Sequence, residues 1–120
     1  MLEIKNLNKI FNQINEYWKP YIIGELNGQH VKAAKFLGKF PMHKHKAEDE
    51  MFLVVKGEIE IEFEDHIKTI REGEFIIITK GINHSPSAKQ EAHILLFEPI
   101  STLNTGTEIN EFTQKDLKKI

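Results

Sequence analysis

The chain has 120 residues and a mass of 14.0 kDa, enough to bury the core of one domain but short for two independent ones. Apolar residues make up 40% and charged residues 28%, which excludes a disordered or collagen-like chain. Sixteen basic against eighteen acidic side chains leave a net charge of -2, with Arg71 the single arginine, so no basic field recommends a nucleic-acid partner.

The chain opens with MLEIKNLNKIFNQINEYW, where charges and amides break every apolar run. No stretch here or further on is apolar for long enough to form a signal core or a membrane span, so a cytoplasmic protein with no membrane partner is expected. Between Asn6 and Tyr17 the residues Leu7, Ile10, Phe11 and Ile14 recur at helical spacing and Pro20 follows as a stop, which predicts a short amphipathic helix.

From Val31 onward the texture changes to short runs of valine, isoleucine and phenylalanine divided by glycines. EMFLVV and EIEIEFE, joined at Lys56-Gly57, read as a strand pair. In the second run Glu58, Glu60, Glu62 and Glu64 alternate with Ile59, Ile61 and Phe63, so one face is wet and the other buried. Further strands are predicted at IKTI, EFIIIT and AHILLFEP, with turns at Asp65-His66 and Glu72-Gly73. Many short strands must close on one another to protect their edges, so an antiparallel β-barrel or jelly roll follows. After Pro99 the polar run ISTLNTGTE reads as turns, and Thr113 to Ile120 reads as a short helix with Asp116 at its capping-box position. No linker or repeat divides the chain, which predicts a single domain over residues 1–120.

The absence of cysteine removes disulfides and thiolate metal sites, so a transition metal would need histidine and carboxylate. Of six histidines, His43 and His45 stand two apart in GKFPMHKHKAEDEMFLVVKG, so an extended backbone directs both imidazoles to one side. Glu50 shares parity with Phe52 and Val54, and a carboxylate on that buried face calls for a cation beside it, whereas Glu48 and Asp49 precede the apolar run and fall in a solvated turn. His84 lies just before Pro86 in GEFIIITKGINHSP, and only closure of the barrel would bring it to the others. His93 shares parity with Leu95 and Phe97 and is either a pocket residue or a hydrogen-bonded core histidine, while His30 and His66 fall in predicted turns without a role. Phe40, Met42 and Phe52 are candidates for a pocket wall or plain core.

These segments resemble the two motifs of the cupin superfamily. Gly38, His43, His45, Glu50 and Gly57 match the first motif, and Gly73, Gly81 and His84 match the second, with Thr79 and Ala88 standing where the family usually has proline and asparagine. The resemblance implies an all-β double-stranded β-helix, a jelly-roll barrel whose motif-bearing core covers about residues 30–99, flanked by short N- and C-terminal helical segments. It implies one divalent metal ion (iron, manganese, nickel, zinc or cobalt) held by His43, His45, Glu50 and His84. It also implies a small-molecule ligand or substrate and a homodimer. Activities compatible with it include oxygenase and isomerase or epimerase chemistry, as well as non-catalytic sugar binding or sensing; small cupins similar to this chain often carry a mannose-6-phosphate isomerase-like label. Fold alone does not choose among them.

Overall fold

The computed structural model describes residues 2–120. One helix, α1 (Leu7–Asn12), precedes seven strands: β1 (Tyr21–Leu26), β2 (Gln29–Lys39), β3 (Glu50–Lys56), β4 (Glu58–Glu62), β5 (Ile67–Arg71), β6 (Phe75–Ile78) and β7 (Ser85–Pro99). All the strand pairs are antiparallel. Along the main path the order is β1-β2-β7-β3-β6, and β4 joins by pairing with both β5 and β7. The sheet folds over itself around β7, whose first residues pair with β4 and whose later ones pair with β2 and β3. This is the barrel that the strand pattern predicts.

Period-two alternation holds where it was clearest. In β4 and just beyond it, Ile59, Ile61 and Phe63 are buried while Glu58 is exposed. They join Ala34 and Phe36 from β2, Phe52 and Val54 from β3, and Ala92, Ile94 and Leu96 from β7 in the barrel core. A second, smaller core forms on the outside of the sheet. There Ile10, Phe11 and Ile14 from the helical region cover Ile23 and Ala33, with Leu95 packed alongside.

Several boundaries differ from the sequence expectation. α1 ends at Asn12 instead of running to Tyr17, because the sheet takes over the chain: the Trp18 amide donates to Lys35 O at 2.9 Å and its indole Nε1 donates to Leu37 O at 2.8 Å. β1 was not anticipated, since Gly24 interrupts its apolar run, and a register shift occurs there between Ile22 and Gly24. β7 begins at Ser85, seven residues before the predicted start, and His30 lies in β2 instead of a turn. The predicted helix over 113–120 is absent. The open edge of β1 claims this tail instead, with Ile22 N donating to Lys118 O at 2.9 Å and Ile120 N to Ile22 O at 3.0 Å, and Asp116 caps nothing. Among the described residues no helix is long and apolar enough to cross a membrane.

The segment that follows α1 is tied to the sheet by a polar contact as well. Tyr17 Oη donates to Glu91 Oε1 at 2.8 Å, and His93 Nε2 donates to Glu91 Oε2 at 2.8 Å. These bonds, His93's first, hold the Glu91 carboxyl down to about 2 against its ordinary 4.5. A depressed carboxylate stabilises the fold above its unfolded value and loses that contribution as pH falls through the folded value. Glu91→Gln should therefore be less stable than the parent at pH 7, with the gap closing as pH drops from about 4.5 towards 2. Urea midpoints across that range test this, and the effect is small because Glu91 is half-exposed.

Candidate metal centre

Four side chains meet inside the barrel. The segment carrying His43 leaves β2 and forms a two-residue antiparallel bridge with His84, in which His43 N donates to His84 O at 3.0 Å and His84 N to His43 O at 2.8 Å. Backbone pairing thus brings the two motifs together before any side chain is considered. His45 lies two residues on, where its carbonyl accepts from Gly81 N at 2.8 Å. Glu50 opens β3 on the inward parity shared with Phe52 and Val54. All four residues are buried, and a ligand atom from each lies within 4.8 Å of the others.

The ring nitrogens are prepared for a cation. His43 Nδ1 donates to Pro41 O at 2.8 Å and His84 Nδ1 to Ile82 O at 2.9 Å. These bonds place the ring proton on Nδ1 and leave the Nε2 lone pairs free, the arrangement a metal-ligating histidine needs. Burial first, and then the neighbouring His84, pull His43 down to about 4, so it is neutral at physiological pH. Burial alone would raise the Glu50 carboxyl, but the neighbouring Glu98 carboxyl, His45 and His84 outweigh it and hold the group well below the usual carboxylate range, so it is ionised.

His45 Nδ1 and Nε2, Glu50 Oε1 and His84 Nε2 are all buried without a hydrogen-bond partner. Buried polar atoms are rarely left so, and several in one cluster mark a missing partner. Glu50 Oε1 stands 3.3 Å from His45 Nε2 and 3.4 Å from His84 Nε2. Two donors about 2.0–2.2 Å from a common ion are separated by about 3.0–3.5 Å, so the spacing suits a transition metal. Three imidazoles and one carboxylate are also a donor set that such ions accept.

The other predicted pocket residues divide. Phe40 and Phe52 line a cavity beside His43 and Glu50, together with Trp18, Leu96, Glu98 and Asn104. Met42 is 39% exposed and does not line the cavity. His93 has the parity assigned to it, but that is the outer face, where its ring stacks on Phe11 at 4.6 Å; it does not reach the cavity. Sequence reasoning missed Lys32 and Glu98. Each is 1% exposed, and Lys32 Nζ donates to Glu98 Oε1 at 2.7 Å. Parity was the available signal, because Glu98 is in phase with Ile94 and Leu96, and Lys32 with Ala34 and Phe36.

A match to the cupin domain family covers residues 37–98, which include all four candidate ligands. This chain belongs to the cupin family. It is 33% identical over 85 residues to the uncharacterized protein YdbB of Bacillus subtilis, an alignment covering 70% of this chain and 75% of that protein. Among solved structures it resembles a cupin-2 domain containing protein from Shewanella frigidimarina, with a TM-score of 0.79 and 38% identity over 80% of this chain and 94% of that one. Protein NMB1881 from Neisseria meningitidis is similar at a TM-score of 0.75 and 33% identity, over 81% and 99% of the two chains.

The C-terminal segment braces the ligand loop. Thr107 N donates to Lys44 O at 3.0 Å, and Phe112 meets Phe40 edge-on with ring centroids 5.2 Å apart. Gly106 sits at the closest point, with φ +62, and a Cβ there would lie 1.9 Å from Lys44 O. Gly106→Ala should therefore cost at least about 1 kcal/mol and push the segment off the loop between His43 and His45. Chemical denaturation checks the cost, and faster amide exchange at Thr107 checks the displacement.

Proposed function

We propose that this cupin is a metal-dependent enzyme that holds one divalent ion (iron, manganese, nickel, zinc or cobalt) through His43, His45, Glu50 and His84. It acts on a small polar or aromatic molecule by oxygenase or by isomerase or epimerase chemistry. The observation that carries this reading is the set of buried ligand atoms with no protein partner, facing one another across the gap an ion would fill. When bound, such an ion polarises a carbonyl or hydroxyl oxygen, acidifies water or, if it is iron, supports dioxygen chemistry. Four protein ligands leave about two octahedral positions for water or substrate.

The chain's own residues supply the rest. The carbonyls of Pro41 and Ile82 orient the rings of His43 and His84. Phe40, Phe52 and Trp18 give the adjoining cavity an apolar wall that excludes bulk water. A second reading is a non-catalytic cupin in which the metal orients a small ligand, such as a sugar, or stabilises the barrel. One observation favours it: the centre of a water molecule has only about 30 Å³ in which to move within this cavity. That space suits a few waters or a ligand of few atoms. In either reading the chain works as a single domain, as a homodimer in the cytoplasm. The exposed side chains of Phe75 and Ile77 on edge strand β6 are an apolar surface suited to pairing.

Elemental analysis of untagged protein tests the metal. The parent should carry close to one equivalent of a transition metal per chain, and Glu50→Ala or His84→Ala should weaken binding by more than about 100-fold. Unchanged metal content in both variants would remove the site. Turnover in a metabolite screen with the loaded protein separates the readings: product formation supports the enzyme, and a raised melting temperature without product supports the binding module.

A further inference from the structure

Lys32 Nζ donates to Glu98 Oε1 at 2.7 Å, and both side chains are 1% exposed. Burying an ammonium and a carboxyl this deeply commonly costs more than their mutual contact returns, so the pair calls for a role beyond stability. The strand register supplies one. β3 and β7 run antiparallel with Phe52 opposite Leu96 and Met51 opposite Phe97, so the next step along the ladder sets Glu50 opposite Glu98. Both face inward. Glu98 Oε1 is taken by Lys32, while Oε2 is buried with no partner of its own, and since two carboxyls facing each other out of water cannot both be ionised, Glu98 keeps a proton that it presents to Glu50. Both carboxyls border the same cavity.

We propose that the Lys32–Glu98 pair is the outer support of the metal centre, with Glu98 a positioning residue that fixes the Glu50 carboxylate through a hydrogen bond. Lys32 anchors one oxygen of Glu98, and the other oxygen braces Glu50 through its proton. Glu50 is the single carboxylate of the quartet and sits at the very start of β3, so its side chain needs such a brace to hold one rotamer. Outer partners of this kind commonly set metal affinity by 10–100-fold. The inference rests on the metal centre proposed above.

The test uses the full chain, stripped of metal and reloaded with cobalt(II) alone. Affinity is read by competition with a chromophoric chelator, and ligand geometry by the visible spectrum of the bound ion. Glu98→Gln keeps an acceptor for Lys32 and gives Glu50 an amide donor, so its affinity should stay within about threefold of the parent, well short of the loss from removing an outer partner. The double variant Lys32→Met, Glu98→Leu replaces the pair by apolar groups and should keep the metal-free fold, since such exchanges are often neutral or stabilising. It should bind cobalt about 10–100-fold more weakly, with an altered spectrum. Should the double variant not fold, Lys32→Met alone removes the anchor and should weaken binding by about tenfold with the same spectral change. Parental affinity and spectrum in whichever of these variants folds would overturn the proposal, as would a Glu98→Gln loss equal to theirs. Failure of the parent itself to take up cobalt would instead reject the metal centre, so the two failures are distinct.

Discussion

A carboxylate and three imidazoles buried on the inside of an antiparallel barrel impose the constraint from which the rest of this structure follows. Ionised Glu50 is out of water and the nearby His43 is neutral, so its charge has to be met by a hydrogen-bond donor or a cation. The backbone answers part of the demand by turning the Nδ1 protons of His43 and His84 outward onto Pro41 and Ile82. That choice makes the rest more acute. With their protons spent on carbonyls, these rings present lone pairs to a carboxylate, an arrangement that repels unless positive charge lies between them.

The fold meets the constraint through pairing, not through rigid loops. His43 and His84 come from segments 41 residues apart in sequence, yet a reciprocal pair of backbone hydrogen bonds fixes them as neighbours. β7 then continues from Ser85 without a break and passes along β4, β2 and β3, so the strand that starts at one ligand ends at Glu98, beside another. Core residues share this strand: Ala92, Ile94 and Leu96 pack the barrel between the two ends. Displacement of the core would therefore be transmitted to the ligand set along a single element.

Much of this was legible in the sequence because period two is a strict rule. The buried parity of Phe52 and Val54 identified Glu50, and the His-x-His spacing identified two rings on one side; the structure brings all of them together. What was not legible falls into two kinds. The first is competition for the chain by tertiary pairing. α1 is cut short because Lys35 and Leu37 take the groups of Trp18, and the tail carrying Asp116 forms a bridge with β1 instead of a helix. The second is which face of a strand is inside. His93 was given the right parity, but α1 covers that face from outside, and the inward row of the same strand carries Glu98. Applying to Glu98 and Lys32 the parity argument used for Glu50 would have found both, although their mutual contact depends on the register between β2 and β7.

The division of labour within the chain has a physical basis. All four candidate ligands lie between residues 37 and 98, the part matched to the family, whereas Trp18, Pro20, Phe36 and Asn104 lie outside it and supply walls of the adjoining cavity. Trp18 is the most constrained of these. Its φ of +62 is unusual for a bulky residue and costs of order 1–3 kcal/mol. The two hydrogen bonds to β2 and the stacking of its ring on Phe36 at 4.2 Å offset that strain and hold the indole against the cavity. Asn104 is held as firmly from the other side, its amide donating to Phe112 O at 2.8 Å and its carbonyl accepting from Gln114 N at 2.9 Å. The motif segments therefore determine what the site can ligate, and the two flanking segments determine how much space remains beside it.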